Sequence, residues 1–250
     1  MRSELDAALG VVGVLGGMGP LATVDFMQKL IAATTLATHA TRDQDHIPVV
    51  VSSIPQIPDR TAAYRGEGAS PLPAMVSSGQ RLMRAGAGLI VMPCNTAHLW
   101  FAELEAAFQV PMLHLVDVAL EDALPAVGTA APLGLLCTDA TLASGLYINR
   151  AAQSEAFSGL QWTLPTAAEM TSLVMPGIQA VKLGNLLEAS QMLIEAAQAL
   201  VQRGARGLLL GCTEIPLVAA QIQARVNVPV IDATASLARR AVAWSIAQRG

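Results

Sequence analysis

The stretch GLIVMPCNTAHL around Cys94 and the stretch RGLLLGCTEIPL around Cys212 are two versions of one pattern. The match continues without a gap to Val110-Pro111 and Val228-Pro229, 118 positions apart throughout. A repeat held in register over that length restricts the chain to two halves built alike and related by a pseudo-twofold axis. Such an axis sets Cys94 and Cys212 face to face across one cleft. Two opposed acid–base groups are what a reaction needs to take a proton from one face of a carbon and return one to the other. The repeat therefore points to racemisation or epimerisation.

Short apolar runs alternate with longer amphipathic ones. Strands are expected at 11–15, 47–53, 88–92, 112–115, 133–137, 160–164, 207–210 and 230–232, and helices at 71–85, 97–108, 185–203, 215–226 and 236–248. Continuously apolar strands separated by helices indicate parallel sheets covered on both faces, so the fold class is α/β. The repeat also extends loosely toward the N-terminus, where Gly13-Val14-Leu15 matches Gly134-Leu135-Leu136 and Phe26 falls opposite Tyr147. Two similar domains follow: residues 1–114 plus 226–250 holding Cys94, with the last helix returning to the first half, and residues 115–225 holding Cys212. No low-complexity linker separates them.

The 250 residues suffice for one large or two small cores. With 53% apolar and 14% charged residues the composition is globular. A net charge of -4 with no basic tract excludes nucleic acid as the main partner. Glu4 and Asp6 spoil the basic start of an export signal, and the apolar run that follows breaks at Gly16-Gly17. No apolar run reaches membrane-spanning length. A cytoplasmic location with reduced thiols is expected. None of Cys94, Cys137 and Cys212 forms a CxxC pair, so no metal is expected.

Both repeat cysteines stand where a parallel α/β sheet presents ligands, beyond the carboxyl ends of strands. Each precedes an expected helix, whose N-terminal dipole stabilises thiolate. A lone cysteine is usually a small buried hydrophobe; two at equivalent repeat positions argue for chemistry. Asn95, Thr96 and Thr213 follow the thiols and can cap helices or bind a carboxylate. Glu214 can receive a proton or grip an ammonium group. The GGMGP run at 16–20 can cradle an anion with its amides; it is not a nucleotide fingerprint. Arg60 and Lys182 lie 122 positions apart, close to the repeat offset, and as a pair could hold the two carboxylates of a dicarboxylic substrate. Cys137 matches Gly16 in the repeat and reads as structural. His98, one helical turn after Cys94, reads as a packing residue.

Taken together, GGMGPLAT, PQIPDRT, MPCNTAH, GLLCTDAT, VKLG and LLGCTEIP resemble the cofactor-independent aspartate/glutamate racemase superfamily over nearly the full length, and its aspartate racemase branch in particular. The glutamate branch typically carries GCTH where this chain has Glu214, and related decarboxylases keep one cysteine where this chain keeps both. The resemblance implies two similar α/β domains with the active site between them, often a homodimer, and no cofactor. It implies Cys94 and Cys212 as acid–base thiols and Arg60 and Lys182 as carboxylate anchors. It further implies Gln56, Asn95, Thr96, Thr138 and Thr213 nearby, with Met18 offering backbone contacts. Ile54 stands where many relatives have Asn. An amino dicarboxylate, aspartate first, is the expected substrate. Glutamate or broad-range racemisation, hydantoin racemisation, cis-trans isomerisation and decarboxylation are the alternatives within the superfamily. A two-lobed solute-binding protein is the reading outside enzymes, against which the missing export signal and the paired thiols argue.

Overall fold

A computed structural model of the chain describes residues 10–128 and 131–249; the segment with Glu4 and Asp6 lies outside them. The chain divides into two compact units. The first runs up to Leu115 and resumes at Thr234, and the second is Val116–Ala233.

In the first unit β1 (Val12–Gly16) is central, flanked by β2 (Val49–Ser53) and β3 (Leu89–Val91). Both pairings are parallel, with Val12 opposite Val49 and Leu89. Helices α1 (Pro20–Thr38), α2 (Arg60–Tyr64), α3 (Leu72–Arg84) and α4 (Phe101–Ala107) follow in chain order, and α5 (Leu115–Val127) starts at the boundary and belongs almost wholly to the second unit. Every residue of β1 is buried, as a strand covered on both faces requires. Helix α3 forms because its apolar and small residues recur at helical spacing: Met75, Ser78, Gly79 and Leu82 make one buried face, and Arg81 and Arg84 suit the negative end of the dipole. The segment expected as a strand at 112–115 makes a single parallel bridge, Ile90 to Met112. Pro111 has no N–H to donate and a helix already begins at Leu115, so no longer ladder fits.

The second unit repeats this order. Its sheet is β5 (Trp162–Thr163), β4 (Leu133–Cys137), β6 (Gly207–Gly211) and β7 (Val230–Asp232), all parallel. Besides α5 and a short helical turn at Ala167–Glu169, its α-helices are α6 (Asp139–Ala143), α7 (Leu146–Ala152), α8 (Met175–Lys182), α9 (Leu186–Gln202) and α10 (Ala219–Gln223). The bridge of Ile90 with Met112 has its counterpart in Leu208 with Val230, both partners moved by the repeat offset. Gly13 and Gly134 correspond too. A Cβ on Gly13 would come within 2.7 Å of the Ala87 methyl, and one on Gly134 within 3.2 Å of the Ala205 methyl. Ala87 and Ala205 are themselves repeat partners, so each central strand is approached closely at the same place. Phe26 and Tyr147 are both fully buried.

Residues 226–233, read from the sequence as part of the first domain, lie in the second unit. The reason is that β7 completes the second sheet through Leu208 to Val230, Leu209 to Ile231 and Leu210 to Asp232. The final helix α11 (Ala233–Ala247) packs on the first unit: Lys29 donates to Thr234 Oγ1 at 2.7 Å and Ser245 to the Gly10 carbonyl at 2.6 Å. Among the described residues no helix is long and apolar enough to cross a membrane.

Candidate active site

In the first unit three loops leave the carboxyl ends of the strands, after Gly16, Ser53 and Val91. The turn after β1 is shaped by Gly17, whose φ is +91°, a region that side chains disfavour. A Cβ there would sit 2.3 Å from the Ile54 amide nitrogen. Thr23 ties the turn down: the Gly17 N–H donates to Thr23 Oγ1 at 2.8 Å, and that hydroxyl donates to the Gly19 carbonyl at 2.9 Å. The Gly17 amide is therefore committed within the protein rather than offered to an anion. Thr23 went unremarked in the sequence, although its four-residue spacing from Gly19 is the signal for such a bond.

Met18 and Ile57 pack in the same apolar cluster as Cys94, which joins the GGMGP, PQIPDR and PCNT motifs. Cys94 is 6% exposed, with Asn95 and Thr96 buried directly behind it. The segment after Cys94 opens as a 3-10 helix, Thr96–Trp100, before α4 begins. Gln56 is exposed on its loop. Arg60 opens α2, capped by Asp59, and its Nη1 donates to the Ile57 and Pro58 carbonyls at 3.1 and 2.9 Å. Its Nε is buried with no hydrogen-bond partner in the protein. An unsatisfied buried donor costs about 1–3 kcal/mol, a cost that an arriving carboxylate removes.

His98 does more than pack. The Leu115 N–H donates to its Nε2 at 3.1 Å, so that nitrogen carries the lone pair and the proton sits on Nδ1. Nδ1 in turn donates to the Cys94 carbonyl at 2.8 Å. The neutral ring thus pins the backbone of Cys94 to the start of α5. It also stacks on Phe101 at 5.6 Å and meets the edge of His114 at 4.9 Å. His98→Ala strips two buried backbone groups of these partners, at about 1–3 kcal/mol each. A fall in the thermal midpoint of about 10 °C is expected for a chain of this size; an unchanged midpoint would refute this role.

In the second unit Cys212 follows β6 directly and is 3% exposed. Its Sγ donates to Glu214 Oε2 at 3.1 Å, and Thr213 Oγ1 donates to the same oxygen at 3.4 Å. Glu214 is 5% exposed. Burial pushes the Cys212 thiol well above its ordinary range, the Glu214 charge adds to that, and the Lys182 charge pulls against it. The expected lowering by a helix start is thus outweighed at this thiol. The segment behind it is also a 3-10 helix, Ile215–Val218, not the first turn of an α-helix. Lys182 is exposed at the end of α8, near enough for its charge to act on the sulfur.

Thr138 caps α6: its hydroxyl accepts from the Thr141 N–H at 3.2 Å and pairs with Thr141 Oγ1 at 3.0 Å. It is not joined to the Cys212 group by these bonds. Cys137 is fully buried, which drives its thiol far up, with the Asp139 charge adding to the effect. All three cysteines are free thiols. Among the described residues no group of three or more His, Cys, Asp or Glu side chains is arranged to hold a metal ion.

The fold and the half-sites define an α/β protein of two like units, each presenting a buried cysteine just beyond the carboxyl end of a strand. The chain belongs to the Asp/Glu/Hydantoin racemase family, whose match covers residues 15–241. It is similar to the broad specificity amino-acid racemase RacX of Bacillus subtilis, 27% identical over 239 residues that span 95% of this chain and 99% of that protein. A glutamate racemase of Deinococcus radiodurans is 27% identical over 232 residues, 91% of this chain and 72% of its own length. The solved aspartate racemase of Picrophilus torridus is 31% identical, covers 94% of both chains and superposes with a TM-score of 0.81.

Proposed function

We propose that the protein is a cofactor-independent amino-acid racemase that interconverts L- and D-aspartate, with Cys94 and Cys212 as its two acid–base groups. The observation that carries the reading is the equivalence of the two thiols: each follows the corresponding strand, β3 or β6, of sheets in which β2-β1-β3 matches β5-β4-β6, at the same repeat position. One thiolate removes the α-proton and the other thiol delivers a proton to the opposite face; the enantiomers use the thiols in exchanged roles. The α-proton is a very weak acid, so the carbanion needs donors aimed at the substrate carboxylate. Asn95, Thr96 and Thr213, which follow the two cysteines directly in the chain, together with Thr138 and the helix N-termini, are the candidates for that task.

Arg60 and Lys182 anchor the two carboxylates in this reading, and the unpartnered Arg60 Nε supports it. Losing a charged hydrogen bond of about 1.5–3 kcal/mol predicts that Arg60→Ala lowers kcat/KM about 10- to 100-fold. Arg60→Lys should recover only part of that, because the ammonium group lacks the planar fork. Steady-state kinetics on L- and D-aspartate check both. The full-length likeness to the B. subtilis protein favours broad specificity as the second reading.

The deciding experiment is α-proton exchange in D2O followed by NMR, with reduced protein and no added cofactor. It is run across L- and D-aspartate, glutamate and several neutral amino acids. Exchange with inversion, strongest for aspartate, is the expected result. Equal rates on neutral amino acids select broad specificity, and no exchange with any acidic amino acid overturns the proposal.

A further inference from the structure

We propose that Glu214 is the proton acceptor that converts Cys212 into its thiolate, so that the second half-site works as a Cys–Glu dyad. The assignment rests on the two-thiol reading above. Its basis is the contact itself. The thiol points its proton at Glu214 Oε2 over 3.1 Å, and both side chains are almost wholly buried. In the step, the S–H bond breaks and its electron pair stays on sulfur, while an O–H bond forms on Oε2. The pair carries one negative charge before and after.

That conservation of charge is the physical advantage. Losing the proton to water instead would leave thiolate and carboxylate side by side, two negative charges in a buried place, which is the arrangement that like-charge repulsion and desolvation oppose most. Passing the proton to Glu214 avoids the second charge. The resulting thiolate keeps two favourable neighbours, the new Glu214 O–H as donor and the Lys182 charge. Thr213 Oγ1, on the same carboxylate oxygen, holds Glu214 in the rotamer that reaches sulfur. The Tyr147 hydroxyl does not compete for the proton. Tyr147 is fully buried and is itself pushed well up, first by burial and then by the charges of Cys137, Cys212 and Asp232. The same dyad offers a place to park the proton between turnovers, when a two-base enzyme must return from one protonation form to the other.

The test is Glu214→Gln, read two ways on the full-length protein. The first reading is the pH dependence of Cys212 carbamidomethylation by iodoacetamide, followed by mass spectrometry of the Cys212 peptide. Gln removes the neighbouring charge, so Cys212 should ionise and react at lower pH than in the wild type. The second reading is racemisation. Despite the more acidic thiol, kcat/KM should fall by about a hundredfold or more, the usual worth of a positioned acid–base group. The two enantiomers have equal free energy in water, so the fall must be equal in both directions. A kcat/KM that is unchanged, or that rises in step with alkylation, would show Glu214 to be only a charge that keeps the thiol protonated, and would overturn the proposal. An unchanged alkylation profile would overturn it too. Glu214→Asp keeps the charge but draws the carboxylate back by one methylene. Wild-type kcat/KM in that variant would count against the dyad even if the Gln variant does not fold. If the wild type racemises nothing, the racemase reading fails, and the alkylation profiles still decide the link between Cys212 and Glu214.

Discussion

Replacing either Cys94 or Cys212 by serine is expected to abolish racemisation, with a loss in kcat/KM of at least about 10²–10⁴. A serine hydroxyl is close in shape to the thiol but far weaker as an acid, so its conjugate base is not populated near neutral pH. Folding should survive, since both positions are small and neither thiol is bonded in a disulfide. The two variants should not behave alike in D2O. In the proposed two-base scheme, the single thiolate left in each variant should still exchange the α-proton on its own face. Each single variant should therefore wash deuterium into one enantiomer without inverting it, and the enantiomer should differ between the two. Cys137→Ser is the control, because that thiol lies fully buried at the end of β4 and packs rather than reacts. It should keep near wild-type kcat/KM. Polarimetry and NMR read both quantities. Near wild-type racemisation in either Cys94→Ser or Cys212→Ser would end the two-base scheme.

The second large effect is structural and lies at Gly17. Gly17→Ala combines a backbone held at φ +91° with a Cβ forced to within 2.3 Å of the Ile54 nitrogen and 2.5 Å of its carbonyl carbon. Left-handed strain costs about 1–3 kcal/mol and overpacking about as much again. A loss of about 4 kcal/mol lowers the thermal midpoint by about 8–16 °C in a chain of this size. Gly204 separates the two causes. Its φ is +100°, yet a Cβ there meets nothing within 4 Å, so Gly204→Ala carries the strain alone and should cost about 1–3 kcal/mol. Equal midpoints for the two variants would mean that the close approach of the turn to Ile54 contributes nothing. The same turn carries Met18 into the cluster that holds Cys94.

Much of the architecture could be read from the chain because the repeat is written in local pattern. Apolar runs at 133–137 and 230–232 coincide with β4 and β7, since strands covered on both faces must be continuously apolar. The offset of Cys94 from Cys212 also relates Ile90–Met112 to Leu208–Val230, a correspondence of backbone pairing that propensity alone does not reveal. Where prediction and structure part, a neighbour distant in sequence is the cause. Residues 226–233 join the second unit because β6 offers β7 an edge to pair with. The segment at 112–115 stays a single bridge because Pro111 and the start of α5 leave it no length. His98 looks like filler until Leu115, 17 positions on, donates to it. Thr138 has a structural task that its place in the sequence does not announce, its hydroxyl capping α6.

The sequence by itself determined the α/β class and the doubling of the fold, and it singled out the two repeat cysteines on which the proposed function rests, because periodicity, repeat register and side-chain type are properties of the chain as written. The tertiary structure alone decided the electrostatic character of Cys212. A helix start should lower a thiol, yet burial beside Glu214 raises this one against the pull of Lys182. Protonation depends on what surrounds a group and how dry it is, and both are set only when strands, loops and helices close around it.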